Sequence, residues 1–119
     1  MKVKIGDYPT YRFYHHWLYR LFNYRPKQSV KIEIDHWDMY SMDHTLAHII
    51  LPMLKQFKAD TPTISCGHLT KKEWGEIQDK MIYAFEHKLI ESEDTDPNSD
   101  EKMQEGFKLF GEYYQGLWY

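Results

Sequence analysis

Ten consecutive residues, Asp35-His36-Trp37-Asp38-Met39-Tyr40-Ser41-Met42-Asp43-His44, hold three carboxylates, two imidazoles and two aromatic rings able to hydrogen-bond. Groups of this kind, carried on a connection between rigid elements, can contact a ligand. The same residues also suit structural work. Asp35 and Asp38 are turn formers, Ser41 suits a helix N-cap, and Asp43 suits the positive end of a helix dipole. His44 and His48 lie one helical turn apart and could face one metal, with Asp38 or Asp43 as an oxygen ligand. Thr45 stands where a zinc-protease HExxH carries its glutamate, and no third ligand has a diagnostic spacing. No metal or other cofactor is expected.

The remaining reactive side chains announce no enzyme. His15 and His16 are adjacent, so a helix points them about 100° apart and one face cannot hold both. Glu86 falls near the apolar side of its helix, which predicts an interhelical salt bridge in preference to a catalytic acid. Cys66 sits beside Gly67-His68 without a thiol-activating context. There is no serine on a strand-turn-helix elbow and no glycine-rich phosphate loop.

The elements that must position these groups are legible from periodicity. Lys2-Val3-Lys4-Ile5 and Val30-Lys31-Ile32-Glu33-Ile34 alternate polar and β-branched residues, predicting two short half-buried strands, with parallel and antiparallel pairing both open. Tyr11, Tyr14, Trp17 or Leu18, Leu21 and Phe22 predict a helix between them, stopped by Pro26 near Tyr24. Leu46, Ile49, Ile50, Met53, Leu54 and Phe57 form one amphipathic stripe from Ser41 to about Lys58, with a bend expected at Pro52. Ala59 to His68 reads as a turn-rich loop.

Thr70-Lys71-Lys72-Glu73 is a capping box, with Leu69 and Trp74 as its hydrophobic staple. The helix it starts carries Trp74, Ile77, Met81, Ala84, Phe85 and Lys88 on one face and a Glu76–Lys80 pair on another. Glu91 to Glu101 reads as a solvated acidic loop, and Asn98 with Glu101 as a second cap. Met103, Phe107, Phe110, Tyr114, Leu117 and Trp118 complete a fourth helix, weakened by Gly106 and Gly111. The expectation is an α+β fold in one domain over residues 1–119, two short strands packed on a bundle of about four helices.

Composition bounds the rest. The chain has 119 residues, a formal charge of −3 and one cysteine, so an intramolecular disulfide is excluded and a reducing cytoplasm fits. No apolar run approaches the roughly 20 residues of a membrane span, and charge in Met1-Lys2-Val3-Lys4 interrupts any secretory h-region. Slight acidity with scattered Lys and Arg makes neither a membrane nor nucleic acid the expected partner. Aromatics are 17% of the chain, including ten tyrosines whose hydroxyls need partners or wet edges.

The stretch DHWDMYSMDHTLAHIILPMLKQFK, Asp35 to Lys58, resembles the central motif of a family of small tailed-bacteriophage proteins. MKVKIG at the start, EIQDKMIYAFEHKL from Glu76, and EGFKLFGEYYQGLWY from Glu105 resemble family blocks in the same order, together about half the chain. Family members commonly carry a longer polar insertion where this chain has Ala59 to Leu69, and an aliphatic residue at the position of His48. The resemblance implies a phage origin and the cytoplasm of an infected bacterial host. It brings no activity with it.

Stacking faces of Tyr and Trp beside His and Arg suit a small nucleotide ligand. The leading expectation is therefore a non-catalytic phage accessory protein that sequesters a small nucleotide-derived host immune signal. Its expected contacts are Trp37, Asp43, His44 and Tyr113 or Tyr114, with Arg12 or Arg20 near phosphate. The alternative is an interaction module that inhibits a host or phage protein through exposed aromatics. A third is a metal-dependent nucleotide hydrolase using Asp38, Asp43 and His44. Self-association into a homo-oligomer is expected under the first two, since open strand edges and surplus Tyr and Trp invite it.

Overall fold

The computed structural model describes residues 1–6, 21, 29–62, 65–90 and 97–118. Apart from Leu21, the helix expected over Tyr11 to Tyr24, with Arg12 and Arg20, lies outside the described residues, as do 91–96 of the acidic loop and Tyr119. The chain divides into two units, Met1–Tyr40 and Ser41–Tyr119.

In the first unit, β1 (Lys2–Ile5) and β2 (Val30–Glu33) form a two-stranded antiparallel sheet, which resolves the open question of pairing. The register sets Val3 opposite Ile32 and Ile5 opposite Val30, so alternation places all four on one face. Both strands are exposed along their whole length, where half-burial was expected. A two-stranded ribbon supplies no second layer to cover its apolar face. The strands lead into a 3-10 turn, η1 (His36–Met39), whose start is fixed when the Asp35 amide donates to Asp38 Oδ2 at 2.7 Å. The Met1 amino group also reaches Asp38, at 3.1 Å.

The second unit is built from α1 (Met42–Asp60), α2 (Lys71–Leu89) and α3 (Ser99–Glu112), followed by a 3-10 turn, η2 (Tyr114–Gly116). Together with the sheet this is an α+β arrangement of short strands and a helical bundle. α1 continues through Pro52 and ends where Thr61 donates its amide and its hydroxyl to the Phe57 carbonyl, at 3.1 and 2.7 Å, just before Pro62. Gly67, at φ 57°, turns the chain between Cys66, whose carbonyl accepts from the Leu69 amide, and α2.

α2 starts at the predicted cap. Thr70 Oγ1 accepts from the Glu73 amide at 3.1 Å and donates to the Glu73 carboxylate at 3.0 Å. Its inward face holds Trp74, Met81, Ala84 and Phe85 as expected, with Gln78 added. α3 begins after Asn98, the expected position, but without the expected side-chain cap bond, and it stops at Glu112, short of the predicted Trp118, which is exposed. The chain tightens there into η2, which seats Gly116 against Cys66; a Cβ on Gly116 would lie 2.5 Å from the Cys66 sulfur.

Pairs across the helices fix their order. Lys55–Glu86 at 3.6 Å and Asp43–Lys88 at 2.9 Å set α1 antiparallel to α2. Trp74–Tyr113, Lys80–Glu105 and Phe85–Phe107 set α3 antiparallel to α2. Lys80 thus bonds Glu105 across the bundle, not Glu76 along its own helix, and Glu86 makes the predicted interhelical bridge from a half-exposed position. Both outer helices pack on α2 and meet one another only weakly. The core is Ala47, Leu54, Trp74, Met81 and Phe85 with Phe107 and Phe110 against it.

Gly106 is where α3 touches α2. A Cβ there would fall inside contact distance of the Lys80 carbonyl oxygen and 2.5 Å from Ala84 Cβ. Replacing Gly106 with Ala is expected to cost about 1–3 kcal/mol through helix separation, a melting point several degrees lower. Gly111→Ala, with nothing within 4 Å of the added carbon, is expected to gain up to about 1 kcal/mol. Thermal melts of the two variants check the contrast, and equal shifts would contradict the close approach.

Candidate functional site

Because α1 and α3 lean on α2 and not on each other, a groove is left between them. One part of it, about 430 Å³, is lined by Ile50, Met53, Leu54 and Phe57 of α1 with Phe110, Tyr114 and Leu117. The adjoining part, about 390 Å³, is lined by Asp43, Leu46 and Ile50 with Phe85, Lys88 and Phe107. Ile50 belongs to both. The walls are apolar except at one end, where Asp43 meets Lys88.

That polar end is formed by the Asp43–Lys88 ion pair. Asp43, in the first turn of α1, takes a bond from Lys88 Nζ at 2.9 Å and another from the His44 amide at 3.0 Å. The Lys88 bond, then the His44 amide, hold the Asp43 carboxyl below the ordinary carboxylate range. The expected Ser41 side-chain cap is absent; Asp43 takes the orphan amide instead, and Thr45 Oγ1 donates to the Ser41 carbonyl at 3.1 Å.

A second recess of about 370 Å³ lies on α2 and α3, lined by Asp79, Lys80, Tyr83, Lys102 and Glu105. Three of its charges, Asp79, Lys80 and Glu105, lie in ion pairs. Lys80 donates to Glu105 at 2.9 Å, which holds its ammonium pKa above the ordinary value, and Lys58 is bonded to Asp79. Lys102 sits 5.7 Å over the Tyr83 ring, which stacks on His87.

The expected ligand contacts of the second unit, Asp43, His44, Tyr113 and Tyr114, are spread over the helices of the bundle. Trp37, 76% exposed on η1, belongs to the first unit. Asp43 and half-buried His44 start α1, and Tyr114 lies at the other end of the groove beside Met53, about 15 Å along the helix from Asp43. Tyr113 packs its ring edge-on to buried Trp74, 5.7 Å between centroids, and so serves the core. His48 is exposed, and among the described residues no three His, Cys, Asp or Glu side chains come together as a metal-binding group.

Lys88 and Phe107 at the Asp43 end were not among the expected site residues. Lys88 left a trace in the sequence, as a lysine on an otherwise apolar helix face, where a long cation needs an acid within reach. Comparison with protein-family models, with curated proteins and with solved structures gave no match.

Asp43 gives the pair a pH signature. With its folded-state pKa depressed, the pair's contribution to stability is complete above the unfolded carboxylate value of about 3.9 and is lost as pH falls through the lower folded value. Asp43→Asn is therefore expected to lower the melting temperature at neutral pH while converging with the parent protein in strong acid. A constant gap across the whole acid limb would show that the Lys88 pair does not titrate in this way.

Proposed function

We propose that this chain is a non-enzymatic interaction module whose α1–α3 groove receives the apolar side of a helix from a protein partner. What carries the reading is the groove itself: apolar, open along its length, and edged by the exposed side chains Leu46, Met53 and Tyr114. From Asp43 to Phe57 it runs about 21 Å, roughly four turns of a bound helix. Helix-in-groove recognition uses anchors at such spacing and needs little charge on the walls. In the phage setting implied by the family resemblance, the partner is a host or phage protein inhibited by docking.

A photo-crosslinking residue in place of Met53 tests this inside expressing bacteria, with Lys72, exposed on α2, as control. One adduct specific to position 53, remade from purified components and abolished by Leu46→Arg, is the expected result. Equal labelling at both positions, or none at 53, overturns the reading.

Sequestration of a small nucleotide-derived immune signal is the second reading. It is supported by the Asp43–Lys88 end, where a recess of about 390 Å³ combines an ammonium group with the Phe107 ring. Small-molecule sites run to about 300–1,000 Å³ and are mostly apolar with a few polar groups that fix orientation. Calorimetric titration with cyclic oligonucleotides and ADP-ribose derivatives is expected to give binding that Lys88→Ala weakens at least tenfold. No heat across that panel at micromolar concentrations removes this reading and leaves the docking reading intact.

A further inference from the structure

The two walls of the groove repeat one spacing. Ile50 and Phe57 on the α1 wall stand two helical turns apart, as do Phe107 and Tyr114 on the other, and all four line the groove. The same step back from Ile50 reaches Asp43, and the same step back from Phe107 reaches Asp100. Both α1 and α3 run antiparallel to α2, so they are parallel to each other and the two aspartates mark the same end.

These two carboxylates differ in what answers them. Asp43 is paired with Lys88 at 2.9 Å. Asp100, in the first turn of α3, is exposed and has no hydrogen bond or ion pair among the described residues. Glu101 adds a further acid to that turn, while Lys102, the next cation along the chain, lies over the Tyr83 ring on α2. The remaining groove-lining residues of both walls are uncharged. One end of an otherwise apolar groove therefore carries an unanswered negative charge.

We infer that the groove takes a helix whose last turn is basic, lying antiparallel to α1 and α3 with that turn at the Asp43–Asp100 end. The inference rests on the docking reading and adds to it the charge and direction of the partner. Lys or Arg in the last turn of the bound helix meets Asp100 directly, and a guanidinium could share the Asp43 carboxylate with Lys88. A partner with Asp or Glu in that turn would instead set like charges together.

Helix direction agrees with the charges. Two parallel helices place their positive dipole ends side by side, and a third helix between them is favoured with its negative, C-terminal end there. Basic residues in a last turn also suit the dipole of the helix that carries them. The bound helix would then run parallel to α2 and antiparallel to each of its two neighbours. With α1, α2 and α3 it completes an up-down-up-down four-helix arrangement, whose fourth position is the one the groove leaves open.

Two synthetic peptides of identical composition test the inference on the full chain by fluorescence anisotropy. Each is capped at both ends, about 15 residues long to match the groove, and carries leucines on one helical face. One has two arginines in its last turn and the other has them in its first. At low ionic strength the last-turn isomer is expected to bind at least fivefold more tightly, with the gap closing as salt rises. Asp100→Asn is expected to narrow the gap and Asp100→Lys to reverse it, with circular dichroism melts establishing that both variants fold. Equal affinity of the isomers, or a gap unmoved by Asp100→Lys, overturns the inference. If the equal binding is abolished by Leu46→Arg, the docking reading stands without this charge rule. Absence of binding by either isomer also overturns the inference, and the Met53 adduct then decides the docking reading by itself.

Discussion

The backbone contact at Gly106 is the constraint from which the rest of the second unit follows. Side chains elsewhere on α3 keep helices about 8–10 Å apart, but at Gly106 the Lys80 carbonyl and the Ala84 methyl occupy the space a side chain would fill. Glycine inside a helix costs about 1 kcal/mol relative to alanine, a cost offset here by the packing it permits. With α3 held this close, Phe107 and Phe110 both reach Phe85 edge-on, at centroid distances of 5.1 Å. α2 thereby becomes the hub, and α3 is committed to it rather than to α1.

Commitment of both outer helices to α2 is what leaves the groove. Three helices can close a triangular core only if each pair is in contact; here two pairs are made and the third is slack. The groove is floored by residues that already belong to the core, Leu54 and Phe85 among them, while its edges carry exposed Leu46, Met53 and Tyr114. A buried apolar floor between exposed apolar edges is suited to docking, because side chains already packed in the core need little ordering when a partner arrives.

Much of this architecture was legible in local pattern. Both strands, the Thr70 cap, the Asn98 start and the inward face of α2 follow from alternation, capping chemistry and a 3.6-residue period, each of which is written in consecutive residues. Partner choice is not. Lys80 has an acid at Glu76 one turn away, yet bonds Glu105 on another helix, and Gly106 reads locally as a weak point although it is the closest crossing. Gln78 escaped because a polar residue on a buried face breaks no local rule until the neighbouring helix covers it. The early stop of α3 follows from the seating of Gly116 on Cys66, a contact across fifty residues of chain.

The candidate site was the least legible, and α1 shows why. Leu46, Ile49, Ile50, Met53, Leu54 and Phe57 read as one broad amphipathic stripe directed at one core. A stripe wider than about 100° is more than a single packing neighbour can cover. In the structure it divides: Leu54 joins Ala47 in the core, Ile50 and Phe57 line the groove, and Leu46 and Met53 face outward. Hydrophobic periodicity reports which residues avoid water but not how many neighbours they need to do so. The polar, aromatic segment from Asp35 to His44 drew attention because its groups can do chemistry. The surplus of apolar surface on the following helix drew none, since in sequence an interface and a core are made of the same residues.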